Sequence, residues 1–142
     1  LTTVPALPST TLAESCYMNM FCNCTGLTTV PSDLLPATTL AEKCYMSMFD
    51  GCEDIAASPV LPATTLVEKC YKQMFSSCYK LSSVTCLATS GINQNNSTED
   101  WLDGAGSSVQ GTMTFNAVST ANWPEGNTSG IPGGWTRQNI DN

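Results

Sequence analysis

The side chains with chemical reach in this chain are its cysteines: there are eight, and no histidine anywhere. Six recur in two columns, Cys16, Cys44 and Cys70 in one and Cys24, Cys52 and Cys78 in the other. Three chemistries are open to such a set. A zinc site wants Cys-x2–4-Cys pairs or histidine partners; only Cys22-x-Cys24 comes close, so no metal is expected. A disulfide wants Cα atoms within about 7 Å. On a helix the two columns stand eight residues apart, about 12 Å of rise, and helices of neighbouring repeats pack about 8–10 Å apart. The expected state is therefore the free, buried thiol, which acts as a small apolar side chain. Cys22 and Cys86 lie outside the columns, with Cys22 expected toward solvent.

Other chemistry is sparse. Without histidine there is no Ser-His or Cys-His nucleophile pair, and the Gly-rich run 130–134 lacks the lysine and following helix of a phosphate loop. Glu99, Asp100 and Asp103 read as a solvated helix start. Trp123 and Trp135 are candidate aromatic contacts for a sugar ring, although packing inside a cap suits them as well. No enzyme, cofactor or metal is expected. The net charge of −7 comes from 12 acids against 5 bases that form no run, which excludes a nucleic-acid footprint. No stretch approaches 18 apolar residues, so no membrane insertion is expected. Asn23, Asn95, Asn96 and Asn127 begin glycosylation sequons, which matter only on a eukaryotic secretory route.

The cysteines are positioned by a unit written three times. Leu7-Pro8-Ser9-Thr10-Thr11-Leu12-Ala13-Glu14 returns as Leu35-Pro36-Ala37-Thr38-Thr39-Leu40-Ala41-Glu42 and as Leu61-Pro62-Ala63-Thr64-Thr65-Leu66-Val67-Glu68. Pro8, Pro36 and Pro62 set a period of 28 and then 26 residues, the mark of a repeat array. Thr11, Thr39 and Thr65, each with Glu three residues on, match a helix capping box. Leu40, Cys44, Tyr45, Met48, Phe49 and Cys52 then fall on one helical face of about three turns, with Met20, Met48 and Met74 in the core and Met18 and Met46 outside. Between the helices, Leu1-Thr2-Thr3-Val4-Pro5, Leu27-Thr28-Thr29-Val30-Pro31, Ile55-Ala56-Ala57-Ser58-Pro59 and Leu81-Ser82-Ser83-Val84 read as short strands.

The pattern Leu-x-x-Val-Pro … Leu-Pro-Ala-Thr-Thr-Leu-Ala-x-x-Cys-Tyr-x-x-Met-Phe-x-x-Cys, ending as in Met48-Phe49-Asp50-Gly51-Cys52, resembles the BspA-type leucine-rich repeats of Bacteroidetes surface proteins, also found in phage-encoded proteins. The resemblance covers residues 1 to about 87. It implies an α/β solenoid with a strand and a capped helix per repeat, and loosely an adhesive role at the cell surface or outside the cell.

Two regions follow: 1–87, a leucine-rich repeat solenoid of three full repeats and the start of a fourth, and 88–142, a Gly/Trp-rich β cap. In the second, a short helix through Glu99–Leu102 and a strand at Gly111–Phe115 are expected, while Asn122-Trp123-Pro124 and the run 130–136 read as turns. The fourth repeat's helix is not seen. Leu1 is not a Met and falls inside a repeat, as in a processed or truncated form of a longer chain.

Solenoids bind through extended strand faces, so Thr2, Thr3, Thr28, Thr29, Ala57, Ser82 and Ser83, with Ala56, form the candidate binding face. The expected function is non-enzymatic recognition of a protein or glycan on a host or neighbouring cell surface. The alternative is a structural subunit of a filament or phage particle, self-associating through residues 1–26.

Overall fold

The computed structural model describes residues 2–125 and 129–140; the Leu1 start of the first expected strand and the Asn127 sequon lie outside them. Its regular core is one four-stranded parallel sheet in the order β1 (Ala57–Leu61), β2 (Ser83–Cys86), β3 (Thr114–Ala117) and β4 (Thr136–Asn139). β2 and β3 show the period-two alternation that puts one face in the core: Val84, Cys86, Phe115 and Ala117 are buried, and Ser83, Thr85, Thr114 and Asn116 are on the other side. The pairing is in register from β2 to β4, so that Ser83 stands beside Thr114 and Thr114 beside Thr136. Between Ala57 and Val60 the β1–β2 register shifts. Pro59 has no N–H to donate there, and the Thr85 N–H on β2 donates to the Ser58 hydroxyl at 3.1 Å.

The strands sit a few residues later than their sequence signals, and segments 2–5 and 27–31 are not strands. Just past the second of these the chain is tied to the sheet, where the Ser32 carbonyl accepts from Val60 N–H at 2.9 Å.

The capped helices are absent. Among the described residues the only helical element is a 3-10 turn, Thr120–Asn122. The residues after Thr11, Thr39 and Thr65, and the expected helix through 99–102, form ribbons of overlapping turns. In the first ribbon Cys16, Met18, Met20 and Cys22 donate N–H to the carbonyls of Ala13, Ser15, Tyr17 and Asn19, three residues back. The intervening amides, of Ser15, Tyr17, Asn19, Phe21 and Asn23, point sideways and donate to Glu42, Cys44, Met46, Met48 and Asp50 of the next repeat at 2.7–3.0 Å. A helix would spend all of these amides on carbonyls four residues back; here half of them join repeats together.

That geometry demands a left-handed residue at every fourth position. Ser15, Asn19 and Asn23 have φ of 58°, 60° and 61°, and Lys43, Ser47 and Gly51, then Lys69, Gln73 and Ser77, take positive φ of 55–78° in the next two ribbons. Each is the third residue of a turn, where type II geometry favours Gly or Asn. Left-handed residues cost about 3–6 kcal/mol per ribbon at roughly 1–2 each. Five lateral bonds return about 3–8 kcal/mol at roughly 0.5–1.5 each. The backbone terms nearly cancel, so the apolar contacts decide. Tyr17, Tyr45 and Tyr71 stack at 6.0 and 6.1 Å between centroids, and Phe21, Phe49 and Phe75 stack at 5.6 Å, within the range of favourable offset stacking.

The ribbon recurs a fourth time where the sequence repeat fades. Asn96, Asp100 and Gly104 have positive φ, and Lys69, Tyr71, Gln73, Phe75 and Ser77 donate to the carbonyls of Asn95, Ser97, Glu99, Trp101 and Asp103. Ser97 and Thr98 therefore occupy the columns of Cys70 and Tyr71, and Trp101 that of Met74. The residue in the Tyr column shrinks while the one in the Met column grows, and the Trp101 indole lies flat on Tyr71 at 5.9 Å and 11°. Lateral bonding and the sheet both run across position 87, the expected boundary of the repeat region. Trp101, Trp123, Phe115 and Trp135 are all buried at the C-terminal end, and Trp101 and Trp123 stack at 5.2 Å.

Candidate binding site

The cysteines are the side chains with the greatest intrinsic nucleophilicity in the chain. Among the described residues all eight are free, and Cys44, Cys52, Cys70, Cys78 and Cys86 are buried. The second column has a structural use: Cys52 Sγ donates to the Phe21 carbonyl at 3.0 Å, and Cys78 Sγ to that of Phe49 at 3.1 Å. Each thiol bonds to the repeat before it. Burial pushes the Cys44 thiol up to about 11 and those of Cys52, Cys70 and Cys86 to about 12. A reactive cysteine needs the opposite shift. Cys22, half-buried rather than facing open solvent, is also raised, first by burial and then by the nearby Asp50.

The described residues hold no group of three or more metal-ligating side chains. Of the acidic trio, Glu99 pairs with Lys72 at 3.5 Å, the Asp100 N–H donates to the Ser129 hydroxyl at 3.1 Å, and Asp103 is exposed. Glu14, Glu42 and Glu68 form a carboxylate column. The Glu42 carboxyl is raised, chiefly by a hydrogen bond with Glu68 and by the like charge it carries. None of this assembles a nucleophile with a base.

The polar face of the sheet is the better-built surface. One row runs Ala57, Ser83, Thr114, Thr136 and the next Val60, Thr85, Asn116, Gln138, side by side through the strand pairing. Neighbouring parallel strands repeat every ~4.8 Å, so from β2 to β4 each row is an evenly spaced line of hydroxyls and amides, ending on Ala57 or Val60 at β1. Asn116 braces the centre: its amide nitrogen lies 3.2 Å from the Val84 carbonyl and within 3.5 Å of the Ser83 and Thr85 hydroxyls.

Of the residues expected on the binding face, Ala57 and Ser83 are brought together here. Ser82 lies just before β2, its hydroxyl donating to the Ala56 carbonyl at 3.1 Å. Thr2, Thr3, Thr28 and Thr29 are exposed but belong to no strand. Trp123 and Trp135 are buried, so neither offers a ring face to a sugar. Sequence reasoning missed Thr114, Asn116, Thr136 and Gln138. The alternation through Met113, Thr114 and Phe115 signals the first two; Thr136 and Gln138 follow a Gly-Trp turn that hides their strand. The Thr-Thr pairs that precede the ribbons form a second exposed line, in which the Ser90 hydroxyl donates to that of Thr65 at 3.1 Å.

Between the Leu-Pro turns lie two open clefts. One, of about 400 Å³, is lined by Leu7, Pro8, Pro31, Asp33, Leu34 and Pro36; the other, of about 290 Å³, by Ser32, Asp33, Leu35, Pro36, Val60 and Pro62. Asp33 is the one ionisable group in either lining. No helix among the described residues is long and apolar enough to cross a membrane. No family model, curated protein or solved structure matches the chain.

Proposed function

We propose that this chain is a non-enzymatic recognition module, a leucine-rich-repeat-like solenoid in which the usual helices are replaced by turn ribbons, serving adhesion at a cell surface or outside the cell. The observation that carries this is the in-register double row of the sheet: Ser83, Thr114 and Thr136 beside Thr85, Asn116 and Gln138. Hydroxyls and amides donate and accept in turn, and a line of them at strand spacing matches the hydroxyls of an extended glycan. Their small size leaves the strand face open to a long ligand, and the absence of charge along these rows favours a neutral polymer over an ionic one. Thr, Ser and Asn supply a surface that stays hydrated with only 12% charged residues.

The test is a glycan array beside a panel of immobilised extracellular-matrix proteins, read with the chain and with Thr114→Lys and Thr136→Lys variants. We expect at least one neutral glycan to be bound, and both variants to lose that binding about tenfold or more with melting temperatures close to that of the parent. Equal binding by parent and variants, or no ligand across the array, overturns the proposal.

A further inference from the structure

We propose that the edge of the first ribbon is a docking surface for the N–H edge of one further ribbon of the same repeat type. This is independent of what the sheet face binds. The lateral amides of the ribbons all donate one way, to a carbonyl in the next repeat: Ser15 to Glu42, Lys43 to Glu68, Lys69 to Asn95, and so along each ribbon. The reverse bonds, from the Cys52 and Cys78 thiols and from Gly106 N–H to the Cys78 carbonyl, fall at the ribbon ends. In the first ribbon the carbonyls in the accepting positions are those of Glu14, Cys16, Met18, Met20 and Cys22. Their counterparts 28 residues on, from Glu42 to Asp50, all accept; within the described residues these five accept from nothing. Along the ribbon the edge offers five backbone acceptors and no lateral backbone donor, and Cys24, in the column of Cys52 and Cys78, holds the one thiol placed to donate to a preceding ribbon.

The side chains point to the same partner. Met20 is 42% exposed, whereas Met48, Met74 and Trp101 in the same column are 0%. Cys16 is exposed, whereas Cys44, Cys70 and Ser97 are 0%. Tyr17 and Cys24 are half-buried where their counterparts are buried. Four positions that belong to the core in every other repeat thus stand open together. What closes them elsewhere is always a ribbon with amides directed across and with a Tyr and a Phe spaced four apart. The repeat-to-repeat interface, seen three times in this molecule, continues unchanged onto this edge.

A second copy of the chain does not supply that partner. Its own first ribbon presents the same carbonyls, and acceptors facing acceptors make no bond. Its last ribbon carries the tail on the donor side, where Ser129 Oγ takes the lateral Asp100 N–H and the Ser129 and Gly130 carbonyls take the Thr98 hydroxyl at 2.6 Å and the Trp101 indole N–H at 3.0 Å.

The experiment joins a copy of residues 27–54 ahead of Leu1 in the full chain and compares it with the same residues in scrambled order. We expect the copied repeat to raise the melting temperature by roughly 5 °C or more, and to slow peroxide oxidation of Met20, read by mass spectrometry, at least tenfold to the rate of Met48. The scrambled leader should do neither. Met20→Lys, which sets a charge beneath the added repeat, should abolish the gain while barely changing the melting of the unextended chain. Equal Met20 oxidation with copied and scrambled leaders overturns the proposal, and so does an added repeat that stays unfolded, because the edge should template it. Dimerisation of the unextended chain that protects Met18 and Met20 also overturns it.

Discussion

Cys52 and Cys78 act as donors in the backbone network while filling core volume. Cys78→Ala removes a sulfur and leaves the Phe49 carbonyl without its thiol donor, and should cost about 1–2 kcal/mol, read by urea melts. Cys24→Ala should cost under ~0.5 kcal/mol, because Cys24 is half-buried and bonds to no preceding ribbon. The same thiols make the fold sensitive to alkali. In the unfolded chain each ionises near 9.0, whereas burial holds the folded thiols protonated to about 11 at Cys44 and about 12 at Cys52, Cys70 and Cys86. Their contribution is complete below pH ~9 and is lost as pH climbs from there toward 11–12, at up to ~1.4 kcal/mol per pH unit for each thiol. Denaturant midpoints should therefore hold level to about pH 8.5 and fall steeply above it. The fall should be shallower in Cys52→Ala.

The ribbon is the element that sequence reasoning got wrong, and the reason is physical. Leu40, Cys44, Tyr45, Met48, Phe49 and Cys52 do share one buried side, and spacings of three and four serve a helix and a chain of overlapping turns alike. The discriminating signal lay on the other side. The left-handed positions hold Ser, Asn, Asn; Lys, Ser, Gly; Lys, Gln, Ser; and Asn, Asp, Gly. None is β-branched or aromatic, as a positive φ requires. Gly51 is the strictest of them: φ is +78°, and a Cβ there would run into the Asn23 amide oxygen. Gly51→Ala should cost about 1–2 kcal/mol; on a helix it would have stabilised by about 1 kcal/mol, so the sign of the change in melting temperature tells ribbon from helix. The repeats were legible because they recur as residues. The fourth ribbon was not, because Thr98 and Trp101 conserve the combined volume of a Tyr and a Met while erasing the pattern. The sheet was legible in part, at the start of β1, at β2 and at the start of β3. In the candidate site Ser83 and Ala57 were found that way, and Thr136 and Gln138 were masked by the turn before them.

Across the whole molecule burial rises from the first repeat to the last. The open Met20 and Cys16 lie at one end, and at the other Trp101 is enclosed by Tyr71, Phe75, Phe115 and Trp123. Trp101→Ala should cost about 3–5 kcal/mol and detach the tail, seen as a tryptophan fluorescence transition that comes ahead of the loss of far-ultraviolet signal. The one-way lateral bonding carries a further consequence, an electrical one. Peptide dipoles that point the same way add, as they do along a helix, but here they add perpendicular to the chain, from ribbon to ribbon. The partial negative end of that summed dipole falls on the carbonyls of Glu14, Cys16, Met18, Met20 and Cys22, on a molecule already carrying a net charge of −7. Each repeat in the stack lengthens that dipole. A cation should settle preferentially against the first ribbon, and the field there should strengthen with the number of repeats behind it.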